Sequence, residues 1–243
     1  MSYSRLGEMQ PKVLSFLVLS YVVVLLLANW FDMRLISLGF GLATDAGTLI
    51  FPLTFLLSDL ITEVYGYKKA RRAIWLGFLF NLIFILYGQL VVHLPSPNYA
   101  PLNEPFDQLF SFNILIICAS FVSYLVAEPF NALFLAKLKI WFDGRLIALR
   151  FVLSTMLAAA LDTSIFSMIA FSSMMDTRQL SLFIITMWVI KVAIEILGLP
   201  LSVYLAYKLK KYECLDIYDT KTKFNLFSLN IDYQQEDNHF KNV

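Results

Sequence analysis

The chain is 243 residues long, with 59% hydrophobic and 15% charged residues and a formal net charge of +1. Soluble domains carry about 25% charged residues, so this composition excludes an ordinary soluble domain and points to a polytopic membrane protein. The basic residues sit between apolar runs rather than on one face, which gives no footprint for nucleic acid, and Cys118 and Cys214 alone make no disulfide framework.

A helix needs about 20 apolar residues to cross a bilayer. Six runs meet that length, 13–31, 47–64, 73–92, 111–136, 151–173 and 180–206, which predicts an all-α protein with six transmembrane helices. The first run is long and has no small-residue cleavage pattern behind it, so it reads as a span rather than a removable signal. With the N-terminus inside, sixteen Lys and Arg fall on the cytoplasmic side, against Arg34 and Arg178 outside and Lys191 in mid-span. The positive-inside rule therefore puts both termini in the cytoplasm.

The long outer loop, His93 to Phe110, holds Pro95, Pro97, Pro101 and Pro105, which exclude a regular helix over most of its length. It reads as a connector or as a lid over an outward mouth. His93 is a lone interface histidine with little to suggest a metal or proton role. Residues 1–211 make one transmembrane domain; residues 212–243 are polar and mixed in charge and read as a poorly ordered cytoplasmic tail.

Charged side chains are costly in hydrocarbon and normally face a bundle interior, a cavity or a partner. In the second run Asp59 and Glu63 lie at i and i+4 and share a helix face. Glu63 is near the cytoplasmic end, where it can reach water or pair with Arg71 or Arg72; Asp59 is a turn deeper. The fourth run contains Glu128-Pro129-Phe130-Asn131. Its proline removes a backbone donor and frees carbonyls near residues 125 and 126, either to break the helix beside a ligand-holding polar face or to kink it for packing. Asp162 is the deepest carboxylate. Its neighbours Ala158, Ala159, Ala160, Thr163 and Ser164 are small enough to admit another helix or a substrate.

The sixth run carries Lys191 and Glu195, again at i and i+4. Either they neutralise each other within the helix, or Lys191 reaches across to Asp162 or Asp59 as a displaceable counter-ion. Three spans per half makes the halves antiparallel, and Asp59 and Asp162 stand at equivalent places, so a 3+3 inverted repeat with a midplane site is open.

The run FPLTFLLSDLITEVYGYKKARR (Phe51 to Arg72) resembles the signature of the YhhQ-like queuosine-precursor transporters, also called the vitamin uptake transporter family. The likeness continues through Glu128-Pro129-Phe130-Asn131, Lys137-Leu138-Lys139, Arg150, Ser154, Asp162, Phe166, Ala170-Phe171, Lys191 and Pro200, covering roughly residues 13–211. It implies uptake of a 7-deazaguanine (queuine or its aminomethyl or cyano precursor) through a bacterial inner membrane, with no cofactor.

The residues suit that cargo. A guanine-like edge presents adjacent N–H donors, which carboxylates accept well, while Asn131 or Asn29 can read a neighbouring carbonyl or ring nitrogen. Trp30, Phe51, Phe55, Phe130 and Phe166 are candidates to stack on the ring. The expected substrate-binding set is Asp162, Glu128, Asn131, Asp59, Lys191 and Asn29, with Glu63 and Glu195 as coupling or structural groups. No metal motif and no nucleophile–base pair lies in the spans, which argues against an enzyme. No Walker A pattern is present either, so the rival to a secondary carrier is a substrate-binding subunit that borrows a separate ATPase module. The expected partners are a purine-like small molecule and the lipid bilayer; a homo-oligomer is compatible with the sequence.

Overall fold

The computed structural model describes residues 11–97, 100–111, 114–228 and 230–240. Its helices are α1 (Leu14–Phe31), α2 (Pro52–Tyr65), α3 (Tyr67–Val92), α4 (Asn103–Ser111), α5 (Ile114–Trp141), α6 (Ile147–Phe171) and α7 (Thr177–Glu213). A hairpin of β1 (Leu35–Gly39) and β2 (Leu42–Asp45) follows α1. Six of the helices are long and apolar enough to cross a membrane, α2 being counted with the helical turn that leads into it from Gly47.

The bundle is built around α2. Some 78% of its apolar stretch is buried, against 28% or less for α1, α3 and α7. It packs on α1, α3, α5 and α7, while α6 packs on α5 and α7. The outer helices turn residues such as Phe16, Leu86 and Leu197 outward, as a lipid-facing surface requires, and polar groups collect around α2. Pro52 at its first turn presets the helical φ, and Thr54 Oγ1 donates to the Phe51 carbonyl at 2.7 Å. Gly66, at φ +82°, separates α2 from α3; a Cβ there would also lie 2.4 Å from Tyr233 Oη, so backbone and packing both require glycine.

Of the two readings open for Pro129, the break does not occur: it lies inside an unbroken α5, and packing on α2, α3 and α6 holds the helix through the missing donor. The His93–Phe110 loop is helical only over its last part, where Pro105 falls in the first turn of α4 and no intrahelical donor is lost. Its buried Phe110 packs 5.0 Å from the Trp30 ring and flat against Gly88, where a Cβ would meet the ring at 2.3 Å. The hairpin was not foreseen, because its strands are largely exposed and carry no alternating pattern; Gly39 and Gly41 turn it with φ of +84° and +77°.

The segment after α7 is the largest difference. Expected as a poorly ordered tail, it packs against the basic end of the bundle, burying Ile217, Tyr218, Asp219 and Tyr233. Asp219 accepts from Tyr67 N–H at 2.9 Å and from the Tyr233 hydroxyl at 2.7 Å, and Tyr233 Oη accepts from Lys68 N–H at 2.8 Å. Arg71 donates to the carbonyls of Asn225 and Asn230 at 2.7 and 2.5 Å, and Trp75 to that of Leu226 at 2.9 Å. The polar residues that make this stretch read as solvated instead satisfy the unpaired N–H groups at the start of α3. Tyr233→Phe should therefore cost about 1–2 kcal/mol by stranding Lys68 N–H, seen as a lower melting temperature of the purified protein in detergent.

The same end holds Glu63, fully buried between three cations. Arg150 reaches it with both guanidinium nitrogens at 2.6 and 3.0 Å, Lys210 at 2.6 Å and Lys139 at 3.9 Å. Lys139 and Lys210 also share Asp216 of the C-terminal segment at 2.7 and 2.8 Å. Neither alternative left open for Glu63, water or a pair with Arg71 or Arg72, is what forms: Arg71 is spent on the tail carbonyls, and the bundle brings three other cations to it. Glu213, at the end of α7, accepts from the N–H groups of Lys12 and Val13 at 3.0 and 2.7 Å. Both ends of the described chain therefore sit at one end of the bundle, together with the starts of α3 and α6.

Candidate functional site

Away from that end, α6 and α7 bring Asp162 and Lys191 together. Lys191 Nζ donates to Asp162 Oδ2 at 2.6 Å, and its ammonium lies 4.3 Å from the centre of the Phe51 ring, a cation–π position. Of the acids open to Lys191, it bonds Asp162 across the helix interface, and Glu195 gets no bond from it. Asp32 and Asp45 also stand within electrostatic reach of this lysine. Asp32 accepts from Ser120 Oγ at 2.9 Å; Asp45 accepts from Thr48 N–H at 2.6 Å and from its hydroxyl at 2.9 Å.

Asp32, Asp162 and Lys191 line a small pocket together with Asn29, Phe51, Ser120, Ser123, Phe166 and Met187. Gly47 makes its wall possible: a Cβ there would fall 1.9 Å from Asp32 Oδ1 and 2.4 Å from the Ala28 carbonyl. Asn29 Nδ2 has no partner, which leaves one unused donor on the wall. Asn29 and Ser120 are shared with a second space, lined by Trp30, Phe84, Phe110, Asn81 and Ile117 among others. An aromatic antechamber thus adjoins a charged inner pocket.

Glu128 lies close enough to Asp162 for their charges to interact. It is fully buried, and neither of its carboxylate oxygens has a partner within hydrogen-bond distance among the described residues. The hydroxyls around it are Thr54, Tyr21 and Ser58. Thr54 gives its proton to the Phe51 carbonyl. Tyr124 gives its own to the Ile74 carbonyl at 2.7 Å, so in the 2.8 Å contact between Tyr21 and Tyr124 the donor is Tyr21. Of the three only the Ser58 hydroxyl is uncommitted, so Glu128 has fewer donors than its two oxygens can take, a costly arrangement that a guest carrying N–H donors would relieve.

The remaining sequence candidates fall elsewhere. Asn131 donates to Asp59 Oδ1 at 2.7 Å, one helical turn from Glu128 and toward the basic end. Glu195 supplies the neighbouring charge that acts most strongly on Asp59. Glu63 belongs to the ion-pair cluster described above. The fold thus brings Asp162, Lys191, Asn29 and Glu128 to one region and separates Asp59, Asn131 and Glu195 from it. Sequence reasoning missed Asp32, Asp45 and Ser120. Asp32 is visible as an acid directly after the first span, and Asp45 as an Asp three residues before Thr48, the spacing at which a side chain accepts from a turn's N–H.

Six helices long and apolar enough to cross a membrane, enclosing charged and unpaired polar side chains, make the architecture of a multi-pass membrane protein with a polar interior. The family described as "Putative vitamin uptake transporter" matches residues 45–205, and the chain belongs to that family. It is 28% identical over 175 residues to a "Probable queuosine precursor transporter" of Bacillus subtilis (strain 168), covering 71% of this chain and 74% of that protein. A Haemophilus influenzae protein of the same description is 26% identical over 170 residues, covering 64% of this chain and 68% of that one. No solved structure matches the chain.

Proposed function

We propose that this chain carries a queuosine precursor, a 7-deazaguanine such as queuine or its aminomethyl or cyano precursor, into the cell across a bacterial inner membrane. The observation that carries the reading is the Asp162–Lys191 pair beside the donor-starved Glu128. Carboxylates are the natural acceptors for the two adjacent N–H groups of a guanine edge, and the unused amide of Asn29 is the natural donor to its carbonyl. Phe51 and Phe166, already on the pocket wall, offer faces for the ring. As the cargo's N–H groups take over Asp162, Lys191 is released, so binding and charge movement are linked. The basic end of the bundle faces the cytoplasm by the positive-inside rule, taking both termini with it. The chain acts as a non-enzymatic secondary carrier.

Uptake of labelled queuine and its two precursors into cells lacking their own carrier tests this. The expected result is accumulation of at least one of the three that depends on this chain. Purified protein in liposomes separates the two modes of action. A secondary carrier transports unaided, whereas a binding subunit holds substrate tightly and moves none without its ATPase module.

A further inference from the structure

Charge is unbalanced in the pocket that holds Asp162 and Lys191. Asp32 and Asp162 both line it, against the single ammonium of Lys191. That ammonium is bonded to Asp162, its one ion pair among the described residues. Asp32 is 7% exposed, and the donor it receives is a neutral hydroxyl, Ser120 Oγ at 2.9 Å. Arg34, two residues along, is exposed. A third buried acid, Asp45, is held by the N–H and hydroxyl of Thr48, which are neutral donors again. Moving Lys191 from one acid to another would only shift the deficit, and a buried carboxylate without a cation is costly.

The position of Asp32 is built into the fold. Gly47 lies flat against its carboxylate, since a Cβ there would fall 1.9 Å from Oδ1, so the Asp45–Thr48 turn backs the acid as well. Asp32 prolongs the last turn of α1, its N–H donating to the Ala28 carbonyl at 3.0 Å. That sets it three residues beyond Asn29 on the same helix face, and both residues line the pocket.

We propose that Asp32 determines specificity at this site by accepting a protonated amine on the cargo, so that the chain takes amine-bearing 7-deazaguanines and discriminates against the cyano compound. This rests on the cargo reading given under Proposed function and narrows it to the cationic members of that class. The covalent geometry of the cargo fits. In a 7-deazaguanine the variable substituent leaves the ring beside the ring carbonyl, the group assigned above to the Asn29 amide, and one turn on from Asn29 stands Asp32. The aminomethyl precursor and queuine both carry an alkylamine at this place, protonated at neutral pH as a lysine is. It brings the missing charge and a charge-assisted donor. The nitrile brings neither, and sets a lone pair toward the carboxylate.

Calorimetric binding of the three compounds to the purified protein in detergent tests this. The wild type should bind the aminomethyl precursor and queuine roughly 10–100-fold more tightly than the cyano precursor, the span expected of one charge-assisted hydrogen bond. Acetylating the aminomethyl group removes its charge and should forfeit that advantage on unaltered protein; queuine, bulkier but charged, controls for size. Asp32→Asn should bring the ratio of aminomethyl to cyano binding close to one, and Asp32→Glu should keep part of it. Equal binding of the two by the wild type, or a ratio that Asp32→Asn leaves unchanged, would overturn the proposal. Equal binding that sodium ions strengthen would overturn it too, giving the missing charge to an inorganic cation. Selective binding with no transport in liposomes would remove the carrier reading and leave the role of Asp32 standing, whereas binding of none of the three would remove both.

Discussion

Lys191→Met should destabilise the protein and abolish uptake, and adding Asp162→Asn should restore the first but not the second. Asp162 is 3% exposed and takes its hydrogen bond from Lys191 at 2.6 Å. Removing the lysine leaves a carboxylate in a low-dielectric interior without its cation, which costs about 3–5 kcal/mol. Replacing both partners by neutral groups removes that penalty, so the double variant should melt near the wild type in detergent. A merely structural pair would predict recovery of uptake along with stability. A pair that cargo opens predicts none, because the acceptor for the base edge and the displaced charge are both gone. Melting temperature and uptake per inserted molecule, measured on both single variants and the double variant, complete the cycle.

Glu128→Gln should move stability and binding in opposite directions. The carboxylate is buried without a donor, so the neutral amide relieves a desolvation cost and should leave the melting temperature unchanged or higher. The same change puts an NH2 where an N–H of the cargo would dock. Losing a charge-assisted hydrogen bond is worth about 1.5–3 kcal/mol, or roughly 10–100-fold weaker binding of queuine. A fall in both quantities would mean that Glu128 supports the fold rather than the cargo.

The span count and the inward-facing acids were legible because hydrocarbon imposes them locally: length sets the helices, and short carboxylates cannot snorkel out. Pairing was legible only in part. From sequence Lys191 has three acids within a plausible reach, Glu195 on its own helix and Asp162 or Asp59 on others, and only the crossing of α6 and α7 selects Asp162. The cations that hold Glu63 were not legible, because they lie 76 to 147 residues away, on α5, α6 and α7, and no sequence spacing encodes those pairings. The C-terminal segment deceived for another reason. Its Asp, Asn and Tyr residues look solvated in composition, yet they answer backbone donors at the start of α3 that composition does not reveal. Pro129 shows the converse: a local breaking signal is overridden by helices packed on either side of it.

The central claim is that the hollow lined by Asp162, Lys191 and Phe51, within electrostatic reach of Glu128, receives the cargo. A cryo-electron microscopy map of the protein saturated with queuine examines it most directly. The account predicts ligand density within that hollow, with the purine-like edge on the two carboxylates and the Lys191–Asp162 contact opened. Density confined to the outer aromatic space around Trp30 and Phe110, with Lys191 still bonded to Asp162, would contradict it.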